Sequence, residues 1–293
     1  MKPAPFAYHR PSTREEVDGL LAELGADAKL LAGGQSLIPI LNMRLAAPAH
    51  IVDLNFLRDE PGQPVLEDGA LAFGPLVRLR AAEHSPLVAE RLPLLAEVLG
   101  HVAHPAIRSR GTLVGSIAHA DPAAELPALL VLLEGSARVR GAGGARTVPA
   151  VELFAGHLET TLEPGEWIEE IRLPAHRGGA FEEFARRHGD YALCGIAAVV
   201  ELDAQGAVSA ARVGAISIHP TPLVVDCGEV LTGRPPDDAD ALRAAGELVD
   251  AASAPGGDLH ADVAYRRQLT RVLTARALSA AADHARTRTQ EAA

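Results

Sequence analysis

The sequence predicts an α+β protein built from more than one folding unit. Three observations carry this. Two apolar runs near the N-terminus flank a Gly-Gly turn and a short helical pattern. Three strand-like runs in the last third are followed by two long helical patterns. The chain has 293 residues, enough for a sizeable core divided among units. Hydrophobic residues make up 48% and aromatic residues only 3%, so Ala, Leu and Val must fill that core.

Residues 1–55 form the first predicted unit. Ser12 and Thr13 precede Glu15 and Glu16 at capping-box spacing. Val17, Leu20, Leu21 and Leu24 then follow a helical period, and Gly25 supplies a stop. Residues 28–32 and 50–54 read as strands and 36–42 as a short helix, which gives a β-α-β-type arrangement.

Residues 56–175 form the second unit. A short strand is expected at 71–73, then helical patterns over 79–100 interrupted at Pro86 and Pro93, and a helix over 123–133 after Pro122. Strands are expected at 137–140, 145–148 and 167–173, with a glycine turn at 141–144. A polar, glycine-rich joint at 175–179 opens the third unit. Strand-like runs follow at 180–187, 196–203 and 209–218, with a hairpin at 204–206, then helices over 239–251 and 265–284. Residues 287–293 have little to bury and are expected to fray.

The chemistry concentrates in three glycine-bearing segments. In Ala32-Gly33-Gly34-Gln35-Ser36 the paired glycines let the backbone turn tightly and bring its N–H groups close to a ligand. Gln35 and Ser36 add neutral donors, and Ser36 stands where it caps the following helix. No Lys or Arg lies in the loop, so it suits a diphosphate held by backbone dipoles. On its own such a motif is more often a plain strand-to-helix turn.

The second segment, 110–127, is rich in small residues. Gly111 and Gly115 flank Thr112, and Ser116, His119, Asp121 and Glu125 follow. Close backbone approach to a flat ligand, with hydroxyls and carboxylates at short intervals, suits a ribityl chain or a ribose. Asp121-Pro122 also has the chemistry of a helix start. His119, Asp121 and Glu125 lack the two-His-on-one-face logic of a zinc helix, so no metal site is expected. The third segment, 186–195, places Tyr191 in a glycine-bounded loop. Cys194 beside it reads as a small core residue.

The net charge of −11 argues against nonspecific nucleic-acid binding. Two cysteines, Cys194 and Cys227, cannot supply a cluster that needs four thiolates, so any iron–sulfur centre belongs on another chain. No run of about 18 apolar residues and no signal-type apolar stretch occurs, so no membrane span is expected and the cytoplasm is the expected compartment.

In order and spacing, these segments resemble the FAD-binding medium subunit of the molybdenum hydroxylases, of the carbon monoxide dehydrogenase and xanthine dehydrogenase type. The resemblance rests on AGGQSLIPILNMRLAAP (32–48), IVDLN (51–55), HPAIRSRGTLVGSIAHADPAAELPA (104–128), LEPGEWI (162–168) and RRHGDYALCG (186–195), and runs from about Pro5 to about Ala282. It implies a two-subdomain FAD-binding domain of the vanillyl-alcohol-oxidase (PCMH) type over 1–175, with subdomains 1–55 and 56–175. A C-terminal α+β domain with a three-stranded antiparallel sheet and helices follows over 176–286, and then a tail, 287–293.

For the site, the resemblance implies that Ala32, Gly33, Gly34, Gln35, Ser36 and Leu37 face the diphosphate and that Gly111, Thr112, Gly115 and Ser116 face the flavin nucleotide. It places an acidic residue, Glu125 or the competing Asp121, on the ribityl or ribose hydroxyls, and Tyr191 near the isoalloxazine. Arg187, where the family often has Lys, would favour reduced flavin electrostatically, and Leu162 would line the ring. The implied complex adds a small subunit with two [2Fe–2S] clusters and a large subunit with a molybdopterin cofactor, assembled as a dimer of heterotrimers. Substrate would react at molybdenum, and this chain would need no catalytic acid or base. The competing readings are a self-sufficient flavin oxidase or dehydrogenase acting on a small alcohol, and a non-enzymatic scaffold. The first lacks a clear His/Tyr/Arg cluster in the C-terminal unit, and intact glycine loops count against the second.

Overall fold

The computed structural model describes residues 2–58, 60–176 and 178–291. Arg177 of the expected joint and residues 292–293 of the expected tail lie outside the described residues.

The N-terminal unit contains β1 (Ala7–His9), α1 (Arg14–Leu24), β2 (Ala28–Leu31), α2 (Leu37–Asn42) and β3 (His50–Asp53). Both outer strands run parallel to β3, in the order β1-β3-β2, with Leu30 opposite Val52. The start of α1 is fixed by Thr13, whose hydroxyl accepts from the Glu16 N–H at 3.2 Å, while Glu16 reaches back to Ser12. Gly25 ends the helix at φ +56°, in the left-handed region that glycine tolerates. Ser36 does not cap α2: it sits at the N-cap position with helical dihedrals and makes no side-chain cap bond.

The second unit begins with β4 (Val65–Glu67) and β5 (Ala70–Phe73) and continues through α3 (Leu79–Glu83), α4 (Pro86–Arg91), α5 (Pro93–His101), α6 (Pro105–Arg108), α7 (Leu113–His119) and α8 (Glu125–Leu132). It then adds β6 (Ser136–Gly141), β7 (Gly144–Pro149), α9 (Ala150–Leu153), β8 (Phe154–Gly156), β9 (Glu159–Thr160) and β10 (Trp167–Pro174). Pro86, Pro93 and Pro105 each open a helix, where the missing N–H costs nothing. The main sheet is antiparallel, in the order β4-β5-β10-β6-β7. Trp167 at the head of β10 reaches into the N-terminal core beside Val17, Leu21 and Val52, and its indole N–H donates to Asp18 at 2.9 Å. Arg140 of β6 donates to the same carboxylate, so one acid on α1 ties the two units together.

The third unit comprises β11 (Ala180–Ala185), β12 (Ala192–Leu202), β13 (Val208–Ile216), β14 (Leu223–Asp226), α10 (Gly228–Leu231), α11 (Ala239–Ala252) and α12 (Val263–Glu291). Its antiparallel sheet has four strands, not the expected three: β14 joins the outer edge of β13. That strand has only four residues and follows a Pro-Thr-Pro stretch that reads as a turn. Strand β12 begins at Ala192, four residues before the expected start, so Ala192–Gly195 is sheet and not loop. It is buried from Ala192 through Val200 because one sheet face meets α8 and the main core while the other meets α11 and α12. Helix α12 continues to Glu291, through most of the expected tail.

Candidate functional site

The site is built where the N-terminal glycine turn meets the turn before α7. A Cβ on Gly33 would lie 2.6 Å from the Arg110 carbonyl oxygen, 2.7 Å from the Gly111 Cα and 3.0 Å from the Thr112 nitrogen. All three are backbone atoms that cannot swing aside, so only glycine lets these two segments touch. Gly34 has φ +72°, and the turn it makes sends the chain into α2. Gln35 folds back, with its side-chain amide donating to the Gly33 carbonyl at 3.1 Å. On the opposing segment, Thr112 is buried and its hydroxyl accepts from the Gly115 N–H at 3.0 Å, capping α7. Half-buried Ser116 makes no side-chain hydrogen bond among the described residues. Ala32, Gly33, Gly34 and Gln35 are half-buried and Ser36 is exposed, so the loop's surface is open.

A hydrogen-bonded chain that the sequence did not reveal holds this junction. Asn55 donates from its amide to the Ala32 carbonyl at 2.8 Å and to Asp53. Arg78 donates to the Arg110 carbonyl at 2.5 Å and to the Asn55 amide oxygen. Asp53, buried at the end of β3, also accepts from the Tyr8 hydroxyl. The available signal was the pair of polar residues in IVDLN, directly after an apolar strand.

The segment between α7 and α8 forms the second half of the site. Ala120 ends α7 in the left-handed region at φ +52°, and Leu158 and Ser217, which donate their N–H groups to the Ala120 and Pro122 carbonyls, have φ +59° and +65°. Three non-glycine residues in this conformation thus converge on one loop, and such strain persists only where surrounding contacts enforce it. Asp121 accepts from the Ala123 N–H at 2.9 Å in a local turn, and the cap position of α8 falls to Ala124. The helix start that Asp121-Pro122 offered as its alternative reading is not used: α8 starts at Glu125, two residues later than read.

Glu125 is 8% exposed and burial pushes its carboxyl up to about 7, with Asp121 adding to the shift. Tyr191 faces these two carboxylates, and burial of its phenol, then Asp121 and Glu125, raise its pKa. The residue as a whole stays 68% exposed, so a ring face is available. Glu183 of β11 approaches from the third unit. Burial, then Glu125, push its carboxyl up to about 8, and its Oε2 atom has no hydrogen-bond partner among the described residues.

The chain matches two families in succession. Residues 4–176 match the FAD binding domain in molybdopterin dehydrogenase, and residues 179–281 match the CO dehydrogenase flavoprotein C-terminal domain. The chain is 39% identical to the 6-hydroxypseudooxynicotine dehydrogenase complex subunit alpha of Paenarthrobacter nicotinovorans, covering 98% of this chain and 97% of that one. It is 37% identical to the carbon monoxide dehydrogenase medium chain of Hydrogenophaga pseudoflava over 96% of this chain and 98% of that one. A solved structure of that organism's carbon monoxide dehydrogenase superposes with a TM-score of 0.92 at 38% identity, covering 97% of this chain and 99% of that chain. The chain belongs to the FAD-binding medium-subunit family of the molybdenum hydroxylases.

Within this family fold, the three segments read from the sequence converge as two contacts. The glycine turn at 33–35 lies on 110–112, and Tyr191 lies on Asp121 and Glu125. Gly189, at φ +82°, brings the third segment down onto His104, where a Cβ would come within 2.6 Å of the imidazole. Leu162 is half-buried and packs on the main core, and Arg187 is exposed with no side-chain partner among the described residues. Cys194 is fully buried against Thr270, and burial pushes its thiol up to about 12, which leaves it inert as a nucleophile. Asn55, Arg78, Arg110 and Glu183 are the members of the site that sequence reasoning missed.

Proposed function

We propose that this chain is the flavoprotein subunit of a molybdopterin-dependent hydroxylase or dehydrogenase. Through FAD it takes electrons from [2Fe–2S] clusters on a small partner and delivers them to an external acceptor. FAD, when bound, joins one-electron cluster chemistry to two-electron acceptor chemistry. The observation that carries the reading is the side-chain-free contact of Gly33 with Arg110–Thr112, in a chain matched end to end by medium subunits. The residues fit the cofactor. Backbone N–H groups of Gly33, Gly34 and Gln35 form a cradle for the diphosphate, set against the 111–115 turn, whose own N–H groups at Gly111, Leu113 and Gly115 are spent on Ile107, Val77 and Thr112. Ala32, Ser36 and Leu37 border the cradle on one side, and Gly115 and Ser116 on the other.

Glu125 and Asp121 provide acceptors for ribityl or ribose hydroxyls. With its carboxyl near 7, Glu125 can also donate. Tyr191 lays its exposed ring against the isoalloxazine, where an aromatic body with a polar tip suits a flavin edge. Arg187 and Leu162 border the ring from the loop and the core. The large subunit carries molybdenum and the substrate pocket, and the assembly is a cytoplasmic dimer of heterotrimers. Supporting this, relatives matched over nearly their whole length are named as subunits or medium chains. The stand-alone oxidase reading draws no such support. No helix among the described residues is long and apolar enough to cross a membrane.

Purification of the tagged chain from its native host tests the proposal. Flavin absorbance, two additional chains, iron and molybdenum are the expected result. Flavin without partners or metals would instead establish a self-sufficient oxidoreductase.

A further inference from the structure

The cradle at Gly33 and Gly34 carries no cation of its own, yet the structure places one against it. Arg78 precedes α3. Its guanidinium donates to the Arg110 carbonyl at 2.5 Å and to Asn55, which in turn donates to the Ala32 carbonyl at 2.8 Å. One side chain thus spans both glycine segments at the point where Gly33 touches Arg110–Thr112.

Its charge is the second observation. Other arginines at least partly buried meet carboxylates directly: Arg14 with Glu60 at 2.6 Å, Arg108 with Glu83 at 2.8 Å, Arg140 with Asp18 at 2.7 Å. Half-buried Arg78 has no carboxylate at ion-pair distance among the described residues. The acid that acts on it is Asp53, already engaged by Tyr8 and by both N–H groups of Asn55. A second cation, Arg110, faces it and also lacks an ion pair among the described residues. Burial and that like charge both press against the guanidinium charge. A guanidinium carries five N–H donors, and Arg78 uses two of them on the protein. A fixed guanidinium short of counter-charge, beside backbone donors cleared of side chains, is arranged for a multiply charged anion.

We propose that Arg78 is an anion-holding residue of the cofactor site. It supplies the cation for the FAD diphosphate and, through Asn55 and the Arg110 carbonyl, ties the two glycine segments together. This rests on the flavin reading above and extends it. The diphosphate is held by backbone N–H groups plus one guanidinium, and not by backbone dipoles alone.

The test uses the chain in its native assembly, stripped of flavin and re-bound with FAD over a series of salt concentrations. The variants are Arg78→Met, Arg78→Lys, Asn55→Ala and, on the exposed surface nearby, Arg80→Met. Arg78→Met should weaken FAD binding about tenfold or more, the scale of one charge-assisted hydrogen bond, and flatten its salt dependence. Arg78→Lys should restore the salt dependence without full affinity, because an ammonium cannot span both acceptors. Asn55→Ala should weaken binding but keep the salt dependence, and Arg80→Met should match the unaltered chain.

Unchanged affinity and salt dependence in Arg78→Met, with FAD held by the unaltered chain, would overturn the assignment and leave the flavin reading standing. An unaltered assembly that neither carries nor takes up flavin would overturn the flavin reading itself. If Arg78→Met fails to assemble, the unaltered chain decides: salt-insensitive FAD retention would overturn the proposal.

Discussion

Gly33 and Gly34 are adjacent and are required for different reasons, so their alanine variants separate. At Gly34 the cost is the left-handed φ of +72°, about 1–2 kcal/mol, and the nearest atoms are ends of the Leu31 and Ile38 side chains, which can yield. At Gly33 the obstacle is backbone at 2.6 Å. Gly34→Ala should therefore lower the melting temperature of the assembly modestly and keep its flavin. Gly33→Ala should push the two segments apart and lose flavin, at equal or larger thermal cost. The reverse order of flavin loss would show that turn conformation, and not loop contact, matters.

Glu125 and Glu183 make a second residue-scale prediction. Their folded-state values, about 7 and about 8, lie above the ordinary carboxylate value of 4.5. Groups raised in this way contribute their stability below the unfolded value and lose it as pH climbs through the folded one. Stability should fall as pH rises from about 4.5 to about 8 and level off above that. Glu183→Gln, neutral throughout, should reduce that slope in a thermal-melt series. Identical slopes would mean that the two carboxyls are not held protonated at the seam.

At the scale of elements, Asp18 on α1 is one of the ties between the first two units: it accepts from both Trp167 and Arg140, beside the Arg14–Glu60, Arg14–Glu169 and Arg140–Glu15 pairs. Asp18→Ala leaves the buried Trp167 indole N–H without its acceptor, while Arg140 keeps Glu15, and should cost about 1–3 kcal/mol by denaturant titration. A neutral result would place the tie in the apolar contacts of Trp167 and the Arg14 ion pairs with Glu60 and Glu169. Much of the element map was legible in local chemistry. Thr13, Gly25 and the helix-opening prolines at 86 and 93 mark boundaries that each rest on a backbone hydrogen bond made or forgone. What was not legible depended on neighbours. Strand β14 forms because β13 offers it an edge, and β12 reaches back to Ala192 because β11 pairs with it there. Helix α8 starts late because Asp121 spends its carboxylate on a local turn.

For the whole molecule, the three glycine-bearing segments could be named from the sequence because glycine, hydroxyl and carboxylate spacing is a local property. Their convergence could not. Arg78, Asn55 and Glu183 are ordinary residues until the fold brings them to the junction, with Asn55 23 residues from its acceptor Ala32 and Arg78 32 residues from its acceptor Arg110. The third unit completes the site from behind. Its sheet packs one face on the main core and delivers Tyr191 and Glu183 to Glu125.

The central claim is that the contact between the 33–35 turn and the 110–112 segment is what holds FAD. The most direct measurement is the absorbance spectrum, with iron and molybdenum content, of the native assembly carrying Gly33→Val. The account predicts that the flavin bands disappear while the partner chains and their metals remain. A Gly33→Val assembly with full flavin occupancy would contradict it.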